Sequence, residues 1–540
     1  MALTVDQVFD KIGSFGRYQR LLLLGCNGLI FLWLGFPMLI MTFLTADPGW
    51  KCVANSSECL FKGSLPASDK SRCNISRSEW TFTDDLTSVA TEFDLVCDKA
   101  IYATIASSMI FLGFLLGGIV VGPFADKLGR RLTIYVFGFI IGVFSLLTAF
   151  PHAYWLFALF RFIIGFGVGG ASIGIYVLVT EMVGVRHRSL IGVSLWYFWT
   201  LSLLVLDLLA YLIRDWRKLA IACGVPAIPI VVGWFITRES PRWLVLKGKL
   251  MEAEVVLKRI AEVNGKEMSK EQFCVPEKQR MGDLRDLFTS KKMTHKTLLS
   301  WYIWFVCGMV YYGVYLSTPN VGGNLYLNFF LTSIIEVFCI PLTIWSSDRF
   351  GRKKIIVGSL ILAALSSVGA VLFTTEDNSD KVYYLRFLCF KYFYFSLLLQ
   401  RMLAGRIIFS MIFAKVFITI TFDLAYLYSA ELFPTVIRNI GMGTSTGAAR
   451  IGAFCSPYIV YLATVHRLLP YAIMGGNALL CGLLCFTLPE TANQPTLETI
   501  DSQTPTTTSV NAVKEDSNRN INEEEKAALV PGEVLHLSNV

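Results

Sequence analysis

The chain has 540 residues, of which 54% are hydrophobic and only 16% are charged. A soluble globular protein would carry about 25% charged residues, so this composition excludes an ordinary soluble enzyme or binding domain. The net charge is +8, and its basic residues flank apolar runs instead of forming an arm or groove, which argues against a nucleic-acid-binding protein.

Apolar runs of about 20 residues, the length that a helix needs to cross a bilayer, recur along the chain. Because the runs are continuous and not alternating, they indicate spanning helices. We therefore predict an all-α membrane protein of two six-helix halves, 1–236 and 297–490, joined by a linker at 237–296. The predicted spans are 21–44, 101–122, 132–150, 154–180, 189–212, 218–236, 297–317, 324–346, 355–373, 405–428, 440–463 and 469–488.

The loop at 45–100 has the features of an extracellular or luminal segment. Asn55 and Asn74 each begin a glycosylation acceptor sequence. Four cysteines in the same loop allow three disulfide pairings: Cys52, Cys59, Cys73 and Cys97. The short basic loops belong on the opposite face by the positive-inside bias, so both termini are predicted to be cytoplasmic.

A charged motif occurs twice, once in each predicted half. Asp-Lys-Leu-Gly-Arg-Arg at 126–131 is echoed by Asp-Arg-Phe-Gly-Arg-Lys at 348–353, and Glu-Ser-Pro at 239–241 is matched by Glu-Thr at 490–491. We interpret the repeated charges as contacts that gate two moving halves, the alternative being that they only set topology. These charges are Asp126, Arg130, Arg131, Glu181, Arg188, Asp348, Arg352, Glu431 and Arg438.

The spacing of the repeated charges reveals an insertion in the second half. Asp126 and Glu181 are 55 residues apart, whereas 83 residues separate Asp348 from Glu431. The excess lies near 383–403, an aromatic run that would move Glu431 to the other face if it crossed the membrane. We therefore predict that it does not span, and interpret it as an interfacial segment or as the product of an unusual splice form or gene-model error.

Two polar stretches complete the predicted organisation. The linker 237–296 has apolar residues at helical spacing between Leu250 and Ala261, which predicts a short amphipathic helix on the cytoplasmic side. The tail 491–540 is polar and has no apolar period, which predicts a disordered cytoplasmic segment.

Ionisable residues inside spans are functional candidates because an unpaired charge there is costly. Glu336 and Arg450 stand out because each lies in an apolar run without a polar loop nearby. Asp207, Lys415 and Asp423 are also intramembrane, and some of these residues can simply pair with one another.

The remaining candidates are an arginine and a group of aromatic residues. Arg161 opens a glycine-rich stretch and is interpreted as a structural or coupling charge. Trp304 and Tyr311 share a helix face in the seventh span and, with Tyr312, suit an ammonium group by cation–π attraction. Packing or a lipid-facing belt is the alternative. We find no pattern for a metal site, a nucleotide-binding loop or a nucleophile–base pair, so neither an ATP-driven pump nor an enzyme is predicted.

Taken together, several sequence motifs make the chain resemble the organic ion transporters of the major facilitator superfamily. These features are the cysteine-bearing first loop, the motifs at 126–131, 239–243 and 430–439, Trp304-Phe305 and Tyr311-Tyr312-Gly313. The strongest likeness is to the carnitine and ergothioneine branch, through the motifs at 317–320, 469–471, 474–475 and 499–501.

This resemblance implies a twelve-helix major facilitator fold in the plasma membrane and alternating access through a central cavity. Arg450 resembles the anion and carnitine branches, whereas Glu336 matches an acidic position of cation and carnitine members. We therefore predict a small zwitterion or cation of the carnitine type as substrate. Arg450 would bind a carboxylate, while Trp304, Tyr311, Tyr312 and Glu336 would hold an ammonium.

The alternatives are an organic anion or broad-specificity organic cation carrier and, in another class, a membrane receptor or scaffold that does not transport. The expected partners are a small organic ion and the lipid bilayer, with no nucleic acid. No cofactor is implied; the resemblance allows sodium coupling, for which the residues themselves give no pattern.

Overall fold

The computed structural model describes residues 4–53, 71–225, 233–268, 283–374 and 407–492. Within these residues, nine helices are long and apolar enough to cross a membrane. The first half and the linker contain α1 (Val5–Ile12), α2 (Arg17–Leu44), α3 (Ala100–Leu128), α4 (Arg130–Leu147), α5 (Tyr154–Glu181), α6 (Arg188–Leu212), α7 (Trp216–Gly224), α8 (Pro241–Leu246) and α9 (Leu250–Asn264). The second half contains α10 (Lys291–Val321), α11 (Leu325–Phe350), α12 (Arg352–Thr374), α13 (Ile408–Leu432), α14 (Arg438–Tyr461) and α15 (Leu469–Cys485).

Each predicted span falls on a described helix, which confirms the all-α architecture. The described helix ends lie within about four residues of the predicted bounds, except that α3 extends to Leu128 instead of 122 and α10 begins at Lys291 instead of 297. Its first turn is capped by Ser290, whose side chain accepts a hydrogen bond from the backbone N–H of Met293. Of the sixth span, 218–236, the structure describes α7 and a helical piece at 233–236.

We name the two ends of the helix bundle by what they carry. The loop end holds a small antiparallel pair, β1 (Trp50–Cys52) and β2 (Trp80–Phe82), with Trp50 opposite Phe82. The turn end holds the two charged motifs, at the junctions of α3 with α4 and of α11 with α12.

A disulfide links Cys73 to Cys97 at the loop end. Cys52 is disulfide-bonded as well. Asn74, one of the two glycosylation acceptors, is exposed. Asn55 and Cys59 lie outside the described residues.

Glycines allow the closest helix crossing in the first half. Gly113 of α3 lies against the backbone of α5 at Phe162, and Gly165 of α5 lies against the backbone of α3 at Ile110, so a Cβ at either position would collide with main chain. This explains the glycine-rich stretch that follows Arg161. In the second half, Gly308 of α10 meets the backbone of α14 in the same way.

Both described flanks of the insertion lie at the loop end. Helices α12 and α13 are antiparallel neighbours: Ser359 and Thr421 are 2.7 Å apart between hydroxyl oxygens, and Gly369 lies against Phe409. The described chain therefore stops at 374 and resumes at 407 at the same end of the bundle. The run 383–403 itself lies outside the described residues.

The linker helix α9 packs beneath the first half together with α1. Its apolar face is buried as the periodicity indicates, with Leu257 and Ile260 fully buried, although Leu250 is 36% exposed. The Asn264 side chain ties α9 to the end of α1 and the start of α2, since it donates to the Ile12 carbonyl at 3.1 Å and accepts a hydrogen bond from the Tyr18 N–H at 2.9 Å.

Candidate functional site

The charged turn of the first half forms a compact ionic cluster. Arg130 is 3.0 Å from the Asp126 carboxylate one helical turn before it and 3.3 Å from Glu181 at the end of α5. Its side chain is 11% exposed, so most of the guanidinium is shielded from solvent. The cluster therefore joins three helices, α3, α4 and α5, at one point.

A carboxylate at the start of α4 completes this cluster. Glu239 accepts hydrogen bonds from the backbone N–H groups of Arg130 and Arg131 at 3.1 Å, where the helix dipole favours an anion. Gly129 has φ +108°, and a Cβ there would collide with the Glu239 carboxylate. The glycine of the motif is thus required by both the backbone and the carboxylate that it faces.

The second half repeats the same construction. Arg352 lies 3.7 Å from Asp348 and 3.4 Å from Glu431, and its backbone N–H donates to Glu490 at 2.9 Å. Gly351 has φ +93° and faces Glu490 as Gly129 faces its own carboxylate. The match between the Glu-Ser-Pro at 239–241 and the Glu-Thr at 490–491 therefore reflects two copies of one structural device.

The two capping carboxylates differ in their protonation equilibria. Burial raises the pKa of the Glu239 carboxyl, and hydrogen bonds from the N–H groups of Ser240, Arg131 and Arg130 offset only part of this. Burial also acts to raise the pKa of Glu490, but four backbone N–H groups, those of Ala492, Lys353, Arg352 and Thr491, lower that pKa below its ordinary value.

The other predicted gating charges have separate partners. Arg188 is 3.2 Å from Asp6 of α1, which also binds Arg242 of α8 at 2.6 Å, so the N-terminal helix is held by two arginines. Arg131 stacks over the Trp234 ring at 4.0 Å. Arg438 donates a hydrogen bond to the Thr435 hydroxyl at 3.3 Å.

Glu336 lies at the centre of the bundle, at mid-depth on α11, and is 3% exposed. Its Oε1 accepts hydrogen bonds from the hydroxyls of Tyr311 at 2.6 Å and Tyr315 at 3.0 Å. Its Oε2 accepts one at 3.0 Å from Thr200, which belongs to α6 in the first half. Trp199 of α6 also donates to the Tyr311 hydroxyl at 2.9 Å. This carboxylate therefore lies where the two halves meet.

Lys415 of α13 is the cation that balances Glu336. Its Nζ is 2.7 Å from the Glu336 Oε1, and the side chain is completely buried. The ammonium also lies 3.1 Å from the ring centroid of Tyr311 and 4.1 Å from that of Tyr315, so two aromatic faces and one carboxylate surround it. The Lys415 charge is therefore balanced by the Glu336 carboxylate and further stabilised by the two rings.

Arg450 lies apart from this ion pair, on α14. Its guanidinium carbon is 3.8 Å from the ring centroid of Phe114, which belongs to α3 in the first half. Arg450 is only partly buried, and its charge acts on the hydroxyls of Tyr312 and Tyr426. The two predicted substrate charges, Glu336 and Arg450, thus both contact the first half and have tyrosines around them.

The aromatic residues of α10 take different positions. Tyr311 and Tyr312 contact each other at 5.2 Å between ring centroids, and Tyr312 packs on Phe111 of the first half at 4.8 Å. Trp304 is 1% exposed and donates its Nε1–H to the Ser429 hydroxyl at 2.8 Å. Edge contacts connect its ring to Tyr426 at 4.5 Å and to Phe422 at 5.8 Å, and Phe422 in turn contacts Tyr311 at 5.5 Å.

Arg161 is also buried, but away from the central residues. It is 2% exposed, donates to the Thr148 hydroxyl at 2.9 Å and lies 5.5 Å from the Phe157 ring. Its partners are Phe157 on its own helix, Thr148 directly after α4 and Cys223 of α7, all in the first half, so it does not join Glu336 and Arg450 at the interface of the halves.

Lys415 was predicted to be an intramembrane charge, but its ion pair with Glu336 was not predicted. The sequence did contain a signal for such a pair, because a lysine buried in a span requires an acidic partner within reach. The hydroxyls of Thr200 and Tyr315 carried no comparable signal, since such residues are common in spans and Thr200 lies in the other half. Asp6 was missed because it lies in a short polar segment that the apolar pattern does not cover.

The chain is similar in sequence to known membrane transporters. Residues 66–503 match the family model described as sugar (and other) transporter. The chain is 30% identical to the "Organic cation transporter protein" of Drosophila melanogaster, over 92% of this chain and 94% of that protein. It is 32% identical to the "Organic cation/carnitine transporter 2" of Homo sapiens, over 78% of this chain and 73% of that protein.

The fold matches solved structures at lower identity. The inward open conformation of the xylose transporter XylE from E. coli superposes with a TM-score of 0.58 at 16% identity, over 87% of this chain and 96% of that one. At this identity the likeness supports the fold alone, the two-halved arrangement of twelve spanning helices expected from the sequence.

Proposed function

Since this chain belongs to the family of sugar and other transporters, and within it is a membrane transporter of the organic cation and carnitine type, we propose that it carries small zwitterions or cations of the carnitine type by alternating access. The plasma membrane is the proposed location, with both termini in the cytoplasm. The relatives are transporters and not enzymes.

One observation carries the substrate proposal. Glu336 and Arg450, which are of opposite charge, both belong to the second half and both contact the first half at mid-depth, through Thr200 and Phe114 respectively. A zwitterion with an ammonium and a carboxylate presents the complementary pair of charges. Binding both ends matters because an unpaired charge in a low-dielectric cavity costs several kcal/mol, on the order of 3–5.

The groups around these charges suit such a substrate. Arg450 can pair with a carboxylate through two parallel N–H donors. The Tyr311 ring already holds the Lys415 ammonium at 3.1 Å, which shows that it suits an ammonium and that a substrate would compete with Lys415 for it. Tyr312 is the second proposed aromatic contact, each favourable contact contributing about 0.5–2 kcal/mol. Trp304 is the least direct of the proposed contacts, since Ser429 and Tyr426 surround it.

The alternating-access proposal rests on how the halves are built. The cluster around Arg130 ties helices of the first half to one another, and the cluster around Arg352 does the same in the second half. At the loop end, by contrast, the halves meet through packed rings, since Phe43 lies 4.8 Å from Phe329 and Tyr211 lies 5.6 Å from Tyr326. A hydrogen bond of 2.9 Å between the hydroxyls of Ser108 and Tyr458 also joins them towards this end. Two halves that are braced internally and meet through such contacts are suited to rigid-body rocking.

Uptake by the purified full chain in proteoliposomes tests the proposal. Carnitine, tetraethylammonium and an aryl carboxylate are each offered as labelled substrate, with the unlabelled forms as competitors. Saturable uptake of carnitine and of the cation, each reduced by the other, supports the proposed class. Saturable uptake of the aryl anion alone would replace it with an organic anion carrier, and the absence of flux for all three would favour a receptor or scaffold.

A further inference from the structure

The ammonium of Lys415 occupies the position that the proposed function assigns to the ammonium of the substrate. Its Nζ is 2.7 Å from the Glu336 Oε1 and 3.1 Å from the ring centroid of Tyr311. That carboxylate and that aromatic face are two of the groups proposed to hold the substrate. A substrate ammonium bound to Glu336 therefore either takes the place of Lys415 or lies close beside it.

The positive charge of Lys415 has no other acidic partner among the residues that the structure describes. The Lys415 side chain is completely buried, and its one ion pair there is with Glu336. Tyr315 holds the same ammonium from a second side, with its ring centroid 4.1 Å from the Nζ, and donates its hydroxyl to the Glu336 Oε1 at 3.0 Å. Because the side chain is enclosed in this way, its charge stays near the carboxylate when a substrate binds.

The proposed contact for a substrate carboxylate lies on the neighbouring part of the first half. Tyr312 packs on the ring of Phe111 at 4.8 Å, and the guanidinium carbon of Arg450 is 3.8 Å from the ring centroid of Phe114. Phe111 and Phe114 are one helical turn apart on α3, so Tyr312 and Arg450 contact adjacent turns of one helix. A substrate with charges at both ends would therefore lie between two positive side chains, Lys415 and Arg450.

We propose that Lys415 makes the carrier prefer zwitterions to cations of the same size. Lys415 repels the ammonium of either kind of substrate, but a zwitterion also brings a carboxylate that both Lys415 and Arg450 attract. Its binding leaves the net charge of the site unchanged. A pure cation adds one positive charge to a buried site, and nothing offsets the repulsion. Glu336 alone would accept either class.

This inference rests on the proposed function, because it places the substrate ammonium at Glu336, and a matched pair of substrates separates the two. Carnitine and its carboxamide have the same length, but the carboxamide has a neutral amide in place of the carboxylate. Uptake of each labelled compound is measured in proteoliposomes with the unchanged full chain, Lys415→Met and Lys415→Arg. The unchanged protein should have the higher kcat/KM for carnitine.

Lys415→Met should lower KM for the carboxamide by about tenfold or more and KM for carnitine by less, so the preference for carnitine falls. Lys415→Arg keeps the charge and should keep the preference, which a role in packing alone does not predict. An unchanged preference in Lys415→Met, or an equal fall in Lys415→Arg, would overturn the inference alone. No saturable uptake of either compound by the unchanged protein would overturn the proposed function as well.

A second variant makes the test independent of the stability of Lys415→Met. Arg450 is only partly buried, and Arg450→Ala should retain a reduced preference for carnitine because Lys415 is still present. Equal kcat/KM for the two compounds in Arg450→Ala would assign the whole preference to Arg450 and overturn the inference. Lys51→Met is the control, since Lys51 is also 2.7 Å from its acidic partner but is exposed. A fall in preference there as large as in Lys415→Met would also overturn it.

Discussion

Replacing Lys415 with methionine would test whether the central ion pair is a buried unit on which the fold depends. Lys415 is completely buried, with its ammonium 2.7 Å from Glu336, and methionine fills a similar volume without charge. Removing one partner of a buried pair costs about 3–5 kcal/mol. Because the hydroxyls of Tyr311, Tyr315 and Thr200 still solvate the remaining carboxylate, we expect the lower end of that range, about 3 kcal/mol.

The assay is the melting temperature of the purified protein in detergent, read from the loss of its monodisperse peak after heating. Lys51 provides a matched control because it is also 2.7 Å from its partner, Asp84, but the two side chains are 52% and 89% exposed. Lys51→Met should leave the melting temperature unchanged, since exposed ion pairs contribute little. Lys415→Met should lower it by several degrees.

A double variant separates loss of the pair from loss of packing. Glu336→Gln combined with Lys415→Met removes both charges, so most of the stability lost in Lys415→Met should return. Additive losses in the double variant, or a Lys415→Met melting temperature equal to that of Lys51→Met, would refute the reasoning.

Two further predictions concern the carboxylate end of the substrate and the second charged turn. Arg450→Ala should lower kcat/KM for carnitine by about 10- to 150-fold, as expected for a lost charge-assisted bond of about 1.5–3 kcal/mol, and should change kcat/KM for tetraethylammonium by no more than about threefold. Arg467 is an exposed arginine, so Arg467→Ala should change neither value. Equal loss for both substrates in Arg450→Ala would contradict the role of Arg450 in binding a carboxylate. Because the pKa of Glu490 is lowered in the folded protein, its contribution to stability is present above the unfolded pKa of about 4.3 and is lost as pH falls through the folded value. The melting temperature of Glu490→Gln should therefore lie furthest below that of the unchanged protein at pH 7, and this difference should become smaller below about pH 4. A difference independent of pH would show that ionisation of the Glu490 carboxylate does not cause the stabilisation.

The helices were predictable because membrane crossing requires long apolar runs, which can be recognised in the sequence alone. The match between the Glu-Ser-Pro at 239–241 and the Glu-Thr at 490–491 also had a physical cause, since Glu239 and Glu490 cap the helices that begin at Arg130 and Arg352. The pattern did not reveal that Arg130 joins Glu181 and Arg352 joins Glu431, because residue order does not specify which charges meet in space.

The central site was only partly predictable, for the same reason. Glu336 and Arg450 were visible as costly intramembrane charges, but Glu336 acquires its chemistry from Lys415 on another helix and from Thr200 in the other half. Trp304 shows the limit of residue type as evidence. Its spacing from Tyr311 suggested a shared aromatic face, yet its Nε1–H is bonded to Ser429 and its ring is buried.

Counterflow of carnitine across proteoliposomes is the sharpest test of alternating access, because it reports a carrier whose single site faces one side at a time. Vesicles containing the full chain are loaded with unlabelled carnitine and diluted into a trace of labelled carnitine. We expect a transient accumulation of label above its equilibrium level, abolished by external tetraethylammonium. Label that only equilibrates, or that does not enter at all, would contradict it.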